Sequence, residues 1–297
     1  MDDDVSIRPM TAADRPAMRE STRAALDDLQ RRLGTPPPPP PGDGPAPPVS
    51  GSGAAIVGRL LELDGAGAWV ATADGQVCGA ALAGLREGLW YLAHLHVRPG
   101  RQGRGVGRRL LAAALGHGAG ARGRLLHSSL DPQAMRCYQR AGFALEPALQ
   151  AVGVVRRAAL PAGLGARAGS AADLDLAAEV DRGVRGAAHG PDLEALLGAG
   201  ARLLVLDDGR ERGYVVLDAG TPRMLAATST PAAVRLLWAA LAECGDHSVA
   251  VEILRADQQW AFDVVHRAGL GLTPMGPLCR QGDTGPLAPY LPHADIL

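Results

Sequence analysis

Two spacings of apolar residues alternate along this chain, one of about two residues and one of three to four, and together they predict interleaved strands and helices. Val5 to Arg8 predicts an opening strand, and Thr11 stands at the N-cap of a helix that runs to about Leu33. Ala68 to Thr72 and Gln76 to Gly84, joined at Asp74-Gly75, predict a β-hairpin, because Asp-Gly accepts the left-handed dihedrals of a two-residue turn. Leu89 to Val97 is the next strand. Period two puts Tyr91, Ala93, Leu95 and Val97 on one face and Trp90, Leu92, His94 and His96 on the other, unless a bulge shifts the register past Ala93. Val106, Leu110, Leu111, Ala114 and Leu115 then repeat at helical spacing, in a helix that stops near Gly116-His117-Gly118. Arg124 to Leu130 is a further strand, leading into a helix around Tyr138.

The second half repeats this order in worn form. Ala201 to Leu206, Asp208-Gly209 and Arg212 to Leu217 repeat the strand, Asp-Gly turn, strand series. Gln259 to Leu270 overlays the Tyr138 helix, with Arg267-Ala268-Gly269 on Arg140-Ala141-Gly142 and Val265 in place of Tyr138. Between them, Thr228-Ser229-Thr230-Pro231 starts a helix at an N-cap without any glycine-rich approach. Two modules follow, residues 1–157 and 158–297. Gly34 to Gly53, with six consecutive prolines from Pro36 to Pro41, predicts a solvated polyproline-like loop. The segment Gly276 to Leu297, rich in Gly and Pro, predicts an extended strand or strap, whose end could also lie near the active groove.

Composition narrows the class. A length of 297 residues fits two domains, and 30 basic against 31 acidic residues give a net charge of −1, so no global field draws the chain to nucleic acid or a membrane. The start Met1-Asp2-Asp3-Asp4 lacks a basic flank and apolar run, and no segment has the apolar length of a membrane span, so a cytoplasmic location is expected. Cys78, Cys137, Cys244 and Cys279 have neither zinc-ligand nor disulfide-framework spacing and read as reduced thiols.

The chemistry concentrates between Leu95 and Leu111. A short strand runs through Leu95, His96 and Val97 into Arg98-Pro99-Gly100-Arg101-Gln102-Gly103-Arg104-Gly105-Val106-Gly107-Arg108-Arg109 and then a helix. Alternate glycines let backbone N–H groups crowd around a ligand, and the orphan N–H groups of the helix end attract an anion. Arg101, Arg104, Arg108 and Arg109 supply further positive charge. A Walker A loop is excluded because the chain has no lysine, and a dinucleotide fingerprint because Arg108 stands where its third glycine belongs.

What remains, Gln102-x-x-Gly105-x-Gly107 after Val97-x-Pro99, resembles the coenzyme A pyrophosphate loop of the GNAT acyltransferases. Asp131-Pro132-Gln133-Ala134-Met135-Arg136-Cys137-Tyr138, closed by Gly142-Phe143, is similar to that family's penultimate helix. The resemblance implies an α/β fold of two tandem modules, each a mixed, mostly antiparallel sheet flanked by helices, with the first intact and the second degenerate. It implies acetyl-CoA as cofactor, held by Leu95, His96, Val97, Arg101, Gln102, Gly103, Arg104, Gly105, Val106, Gly107, Arg108, Asp131 and Tyr138. Its partner is an amine, from a small molecule or a peptide, that attacks the thioester directly, so Cys137 is not needed as a nucleophile. Backbone N–H groups near Leu95 to Val97 would polarise the thioester carbonyl, and Tyr138 would donate to the leaving thiolate. A homodimer stays open.

A general base is harder to assign. His94 and His96 lie on the right strand and titrate in the right range, while Tyr91 or Glu87 could position a water. Packing is the competing role for both histidines. His189 faces an inter-domain groove or, more simply, precedes a helix, and Trp238 and Trp260 read as core. Two other functional classes compete with the enzyme: an acetyl-CoA sensor without turnover, and a protein-interaction module acting through residues 166–297.

Overall fold

The computed structural model describes residues 5–34 and 50–297. The first half comprises β1 (Ser6–Pro9), α1 (Arg15–Leu33), α2 (Ser52–Leu63), β2 (Ala68–Ala73), β3 (Gln76–Arg86), β4 (Leu89–Val97), α3 (Val106–His117), β5 (Gly123–His127), α4 (Pro132–Arg140) and β6 (Ala144–Gly153). Then come β7 (Arg167–Ala168), α5 (Leu174–Val184), α6 (Pro191–Gly198), β8 (Arg202–Asp207), β9 (Arg212–Asp218), β10 (Thr221–Ala227) and α7 (Thr230–Glu243). β11 (Val249–Arg255), α8 (Gln259–Arg267), β12 (Gly271–Gly282) and β13 (Tyr290–Leu291) complete the chain. The fold is α/β, with two mostly antiparallel sheets flanked by helices.

Local signals act as read. Asp74 and Gly75 both take positive φ, 52° and 75°, in the two-residue turn between β2 and β3. α3 buries Val106, Leu110, Leu111 and Ala114 against the sheet. The strand expected over 124–130 ends at His127, because Ser129 Oγ accepts from the Asp131 amide at 3.3 Å and the Asp131 carboxylate caps α4 through the Gln133 amide at 2.8 Å. Most of the proline-rich stretch, residues 35–49, lies outside the described residues; its last residues, Ser52 and Gly53, already belong to α2.

Strand order is where the structure departs from a simple pair of modules. One sheet runs β1-β2-β3-β4-β5-β12-β6-β11 and the other β13-β10-β9-β8-β7. β12 follows α8 as β6 follows α4, yet β12 sits between β5 and β6, pairing Cys279 with both Leu126 and Leu145. β6 in turn pairs with β11, Val251 opposite Ala151. The last strand of each half thus lies beside the other half's strands, and the boundary at 157 does not separate two closed sheets.

A buried polar network ties the halves together below the sheet. Arg86 donates to Asp64 at 2.7 Å and to Asp192 at 2.6 Å, Tyr91 donates to the other Asp192 oxygen at 2.7 Å, and His117 meets Asp64 at 2.9 Å. Asp192 is on α6, so a second-half carboxylate satisfies two first-half groups. Tyr91 is therefore committed to Asp192, and Glu87, in the β3–β4 turn, to Arg182 at 2.7 Å and the Ala188 amide at 3.1 Å. Neither positions a water at the far end of β4. His189 is fully buried, bonded to Asp181 at 2.8 Å and Tyr290 at 3.2 Å, and its carbonyl accepts from the Asp192 amide as α6 begins. It faces no groove. Trp238 is buried and Trp260 packs on the same cluster.

Candidate active site

β4 bulges at Ala93. Leu92 lies opposite Ala83 of β3 while His94 lies opposite Leu82, so Ala93 has no cross-strand partner. The extra residue reverses the faces beyond it. His94 and His96, opposite Leu82 and Ala80, join Tyr91, which is opposite Gly84; Leu95 and Val97 join Trp90 and Leu92. The bulge that the sequence left open thus occurs, and plain alternation fails from Ala93 onward. The second face is the one α3 covers, as the bond from Trp90 Nε1 to the Ala114 carbonyl at 3.2 Å shows. The first carries α1, whose Thr22 hydroxyl lies 3.3 Å from His96 Nδ1.

β4 and β5 part at the same point. Their parallel ladder covers only Leu89 to Leu92 against Gly123 to Leu126, which leaves the β5-facing edge of Ala93 to Val97 without a strand partner. Backbone polar groups on such an edge need another partner, and a ligand lying between the strands can be one. The bulge makes this opening, because it turns the strand away from its neighbour.

The glycine-rich turn stands at the mouth of this cleft. Gly105 caps α3 with φ of 80°, and Gly103 has φ of 76° with no heavy atom within 4 Å of the place a Cβ would take. A side chain at either would be strained in backbone, and at Gly103 it would also fill the open space in front of the helix end. Gln102 Nε2 donates to the Val97 carbonyl at 2.8 Å and holds the turn against the strand. Val106 is buried beneath the turn, and Gly107 packs close to Val97, whose Cγ2 would be 3.6 Å from a Cβ there. Arg104, Arg108 and Arg109 are exposed around it, and Arg101 pairs with Asp74 at 2.8 Å. The open turn, the helix end and the surrounding arginines are the features of an anion site.

Tyr138 projects from α4 on the α3 side. It is buried edge-on against Phe143, with centroids 6.4 Å apart, and burial pushes its hydroxyl well above the usual phenol range. Cys137 beside it is half-buried and raised by burial, no activated nucleophile. Asp131, expected at the cofactor, caps α4 and accepts from Arg32 of α1 at 3.0 Å.

Three histidines share the α1 face. Burial pushes the His96 imidazole down to about 3, with His94 adding to the shift. Such a ring is neutral at pH 7, and protonating it there costs roughly 5 kcal/mol. His94 Nε2 is sealed from solvent without a partner. The third, His127, lies on β5 just past Leu126 and was missed by sequence reasoning; the strand was legible, its place at the fork was not.

Residues 64–145 match the family model described as acetyltransferase (GNAT) domain. Residues 64–145 thus form a GNAT acetyltransferase domain. The whole chain has the fold of solved proteins of similar length. A candidate acetyltransferase from Pyrococcus horikoshii superposes with a TM-score of 0.72 at 17% identity, over 98% of this chain and 92% of that one. A GCN5-related N-acetyltransferase from Sphaerobacter thermophilus gives 0.60 at 16%, over 94% and 95%. A tandem GNAT protein from the clavulanic acid biosynthesis pathway gives 0.55 at 16%, over 94% and 98%. No curated protein sequence matches the chain. Among the described residues no helix is long and apolar enough to cross a membrane, and no cluster of three metal-ligating side chains occurs.

Proposed function

We propose that the protein transfers acetyl from acetyl-CoA to an amine at the fork between β4 and β5. What supports this reading is that β4 parts from β5 beyond Leu92 and runs into the open Gly103–Gly105 turn at the start of α3, while Tyr138 packs on Phe143, which in turn packs on Trp90 of the same strand. Acetyl-CoA supplies a thioester that a neutral amine attacks without an acyl-enzyme stage. Leu95, His96 and Val97 would offer backbone groups to it, and the turn from Arg101 to Arg108 would hold its pyrophosphate. Tyr138 would donate a hydrogen bond to the departing sulfur. Its raised pKa makes full proton transfer to a thiolate, already uphill by about 2 kcal/mol from the reference values, less favourable still. The acceptor approaches from the α1 face, which carries His94 and His96.

The second half offers no equal site. β10 reaches α7 through Thr228-Ser229 alone, and its outer edge is paired with β13, Leu225 opposite Leu291 and Ala226 opposite Tyr290. Gln258 donates to the Tyr290 carbonyl and holds this plug from the β11 side. One acetyl-CoA per chain is expected by calorimetric titration, with the binding lost on Gly105→Asp. No binding, or two sites, sinks the reading. Tyr138→Phe should lower turnover about tenfold to a hundredfold in a thiol-release assay while acetyl-CoA binding stays within a few-fold; equal turnover removes Tyr138 from the mechanism.

The same buried histidine sets a pH response of stability. His96 is neutral when folded, with its pKa far below the unfolded value of about 6.5, so acidification favours the unfolded chain. Between pH 7 and pH 5 urea unfolding should show a loss of roughly 1–2 kcal/mol that His96→Gln abolishes.

A further inference from the structure

We infer that His127 takes the proton from the attacking amine, and that the second half of the chain supplies the groups that orient it. This rests on the acetyltransferase reading.

β5 pairs with β4 up to Leu126, so His127 is the first residue on the β5 arm of the fork. Its face follows from the ladder. Leu125 lies opposite Tyr91, and two residues on, His127 shares that face, which is also the face of His94 and His96 beyond the Ala93 bulge. The acceptor side of the fork thus has histidines on both arms.

They are not equivalent. Nε2 of His94 is enclosed without a partner, and His96, held beside Thr22, is a weak base. His127 Nε2 lies 3.1 Å from the Gly276 carbonyl, which can only accept, so this nitrogen carries the proton and Nδ1 is left with a lone pair. Gly276 belongs to β12, at the irregularity between Met275 and Leu278 where that strand slips its register against β6. The strand donated by the second half therefore fixes the tautomer.

Asp295 lies near enough for its carboxylate to favour the imidazolium, against the burial that opposes it. It is the charged group acting on His127 among the described residues; His94 and His96 stand on the same face of the neighbouring β4, with Thr22 of α1 beside His96. As the amine nitrogen bonds to the acetyl carbon and the carbon–sulfur bond breaks, the nitrogen's proton passes to Nδ1 of His127. The sulfur leaves with the bonding pair and takes its proton from solvent, beside the Tyr138 hydroxyl. An amide and a free thiol result.

The test uses the full chain, acetyl-CoA and a panel of primary aliphatic, arylethyl and α-amino amines. His127→Gln should lower kcat about 100-fold or more, with KM for acetyl-CoA within a few-fold, and remove the acidic limb of the kcat/KM profile. Asp295→Asn should move that limb to lower pH. Without any ligand, nitrogen NMR of the imidazoles should show His127 in the Nε2-protonated tautomer, titrating at lower pH in Asp295→Asn. Turnover with an unchanged acidic limb in His127→Gln, or an Nδ1-protonated His127, overturns the inference alone. Wild-type chain that binds no acetyl-CoA and releases no thiol with any amine overturns the acetyltransferase reading and this inference with it.

Discussion

A chain ended after residue 157 is expected not to fold. Its sheet would lose β12 from between β5 and β6, leaving Leu125 without Arg280 opposite it and Leu126 and Leu145 without Cys279. The underside would lose its cover as well. Leu287, Ile296 and Leu297 are buried in the same cluster as Leu82, Leu89 and Tyr91, and each large apolar side chain removed costs about 1.5–3 kcal/mol. Arg86 and Tyr91 would lose Asp192. These losses together reach the whole stability of an ordinary domain, about 5–15 kcal/mol. Circular dichroism and proton NMR of residues 1–157 should show no cooperative thermal transition and no dispersed spectrum. Residues 158–297 supplied as a second chain should restore both, since the exchanged strands need proximity and not covalent order. A soluble 1–157 chain with a sharp transition would refute the exchange as a folding requirement.

Replacing Asp192 by alanine should be among the most damaging single changes. The carboxylate is buried and bridges Arg86 and Tyr91, so its removal strands a guanidinium N–H and a phenol hydroxyl away from water. Breaking a buried charge pair from one side costs about 3–5 kcal/mol, against less than 1 for most exposed pairs. Arg182–Glu87 is such an exposed contrast, also joining the halves. Denaturant unfolding should show the loss for Asp192→Ala and almost none for Arg182→Ala. Asp192→Asn should fall between, because its amide oxygen still accepts one of the two bonds. A change under 1 kcal/mol in Asp192→Ala would mean that water replaces the carboxylate and that the network does not join the halves.

Both predictions depend on contacts that cross the chain's midpoint, and these were not legible in the sequence. The β2–β3 turn was legible, because Asp74-Gly75 states its own dihedrals. So was α3, whose apolar spacing acts within a few residues. The cradle at Gly103 and Gly105 was legible too, since only the backbone there has to approach a ligand. The bulge at Ala93 was foreseeable only as a possibility: nothing in Leu92-Ala93-His94 records that β3 will skip one residue opposite it.

The sequence by itself determined the β2–β3 hairpin and the strand, glycine turn and helix from Leu89 to His117, because periodicity, capping and glycine dihedrals are set by neighbours along the chain, while Tyr138 was singled out by the family resemblance. Tertiary structure alone decided that β12 pairs with β5, that β13 fills the edge of β10, and that His127 meets Gly276 and lies near Asp295. Strand pairing joins residues far apart in sequence through backbone groups common to nearly every residue type, so side-chain identity carries almost no record of the partner.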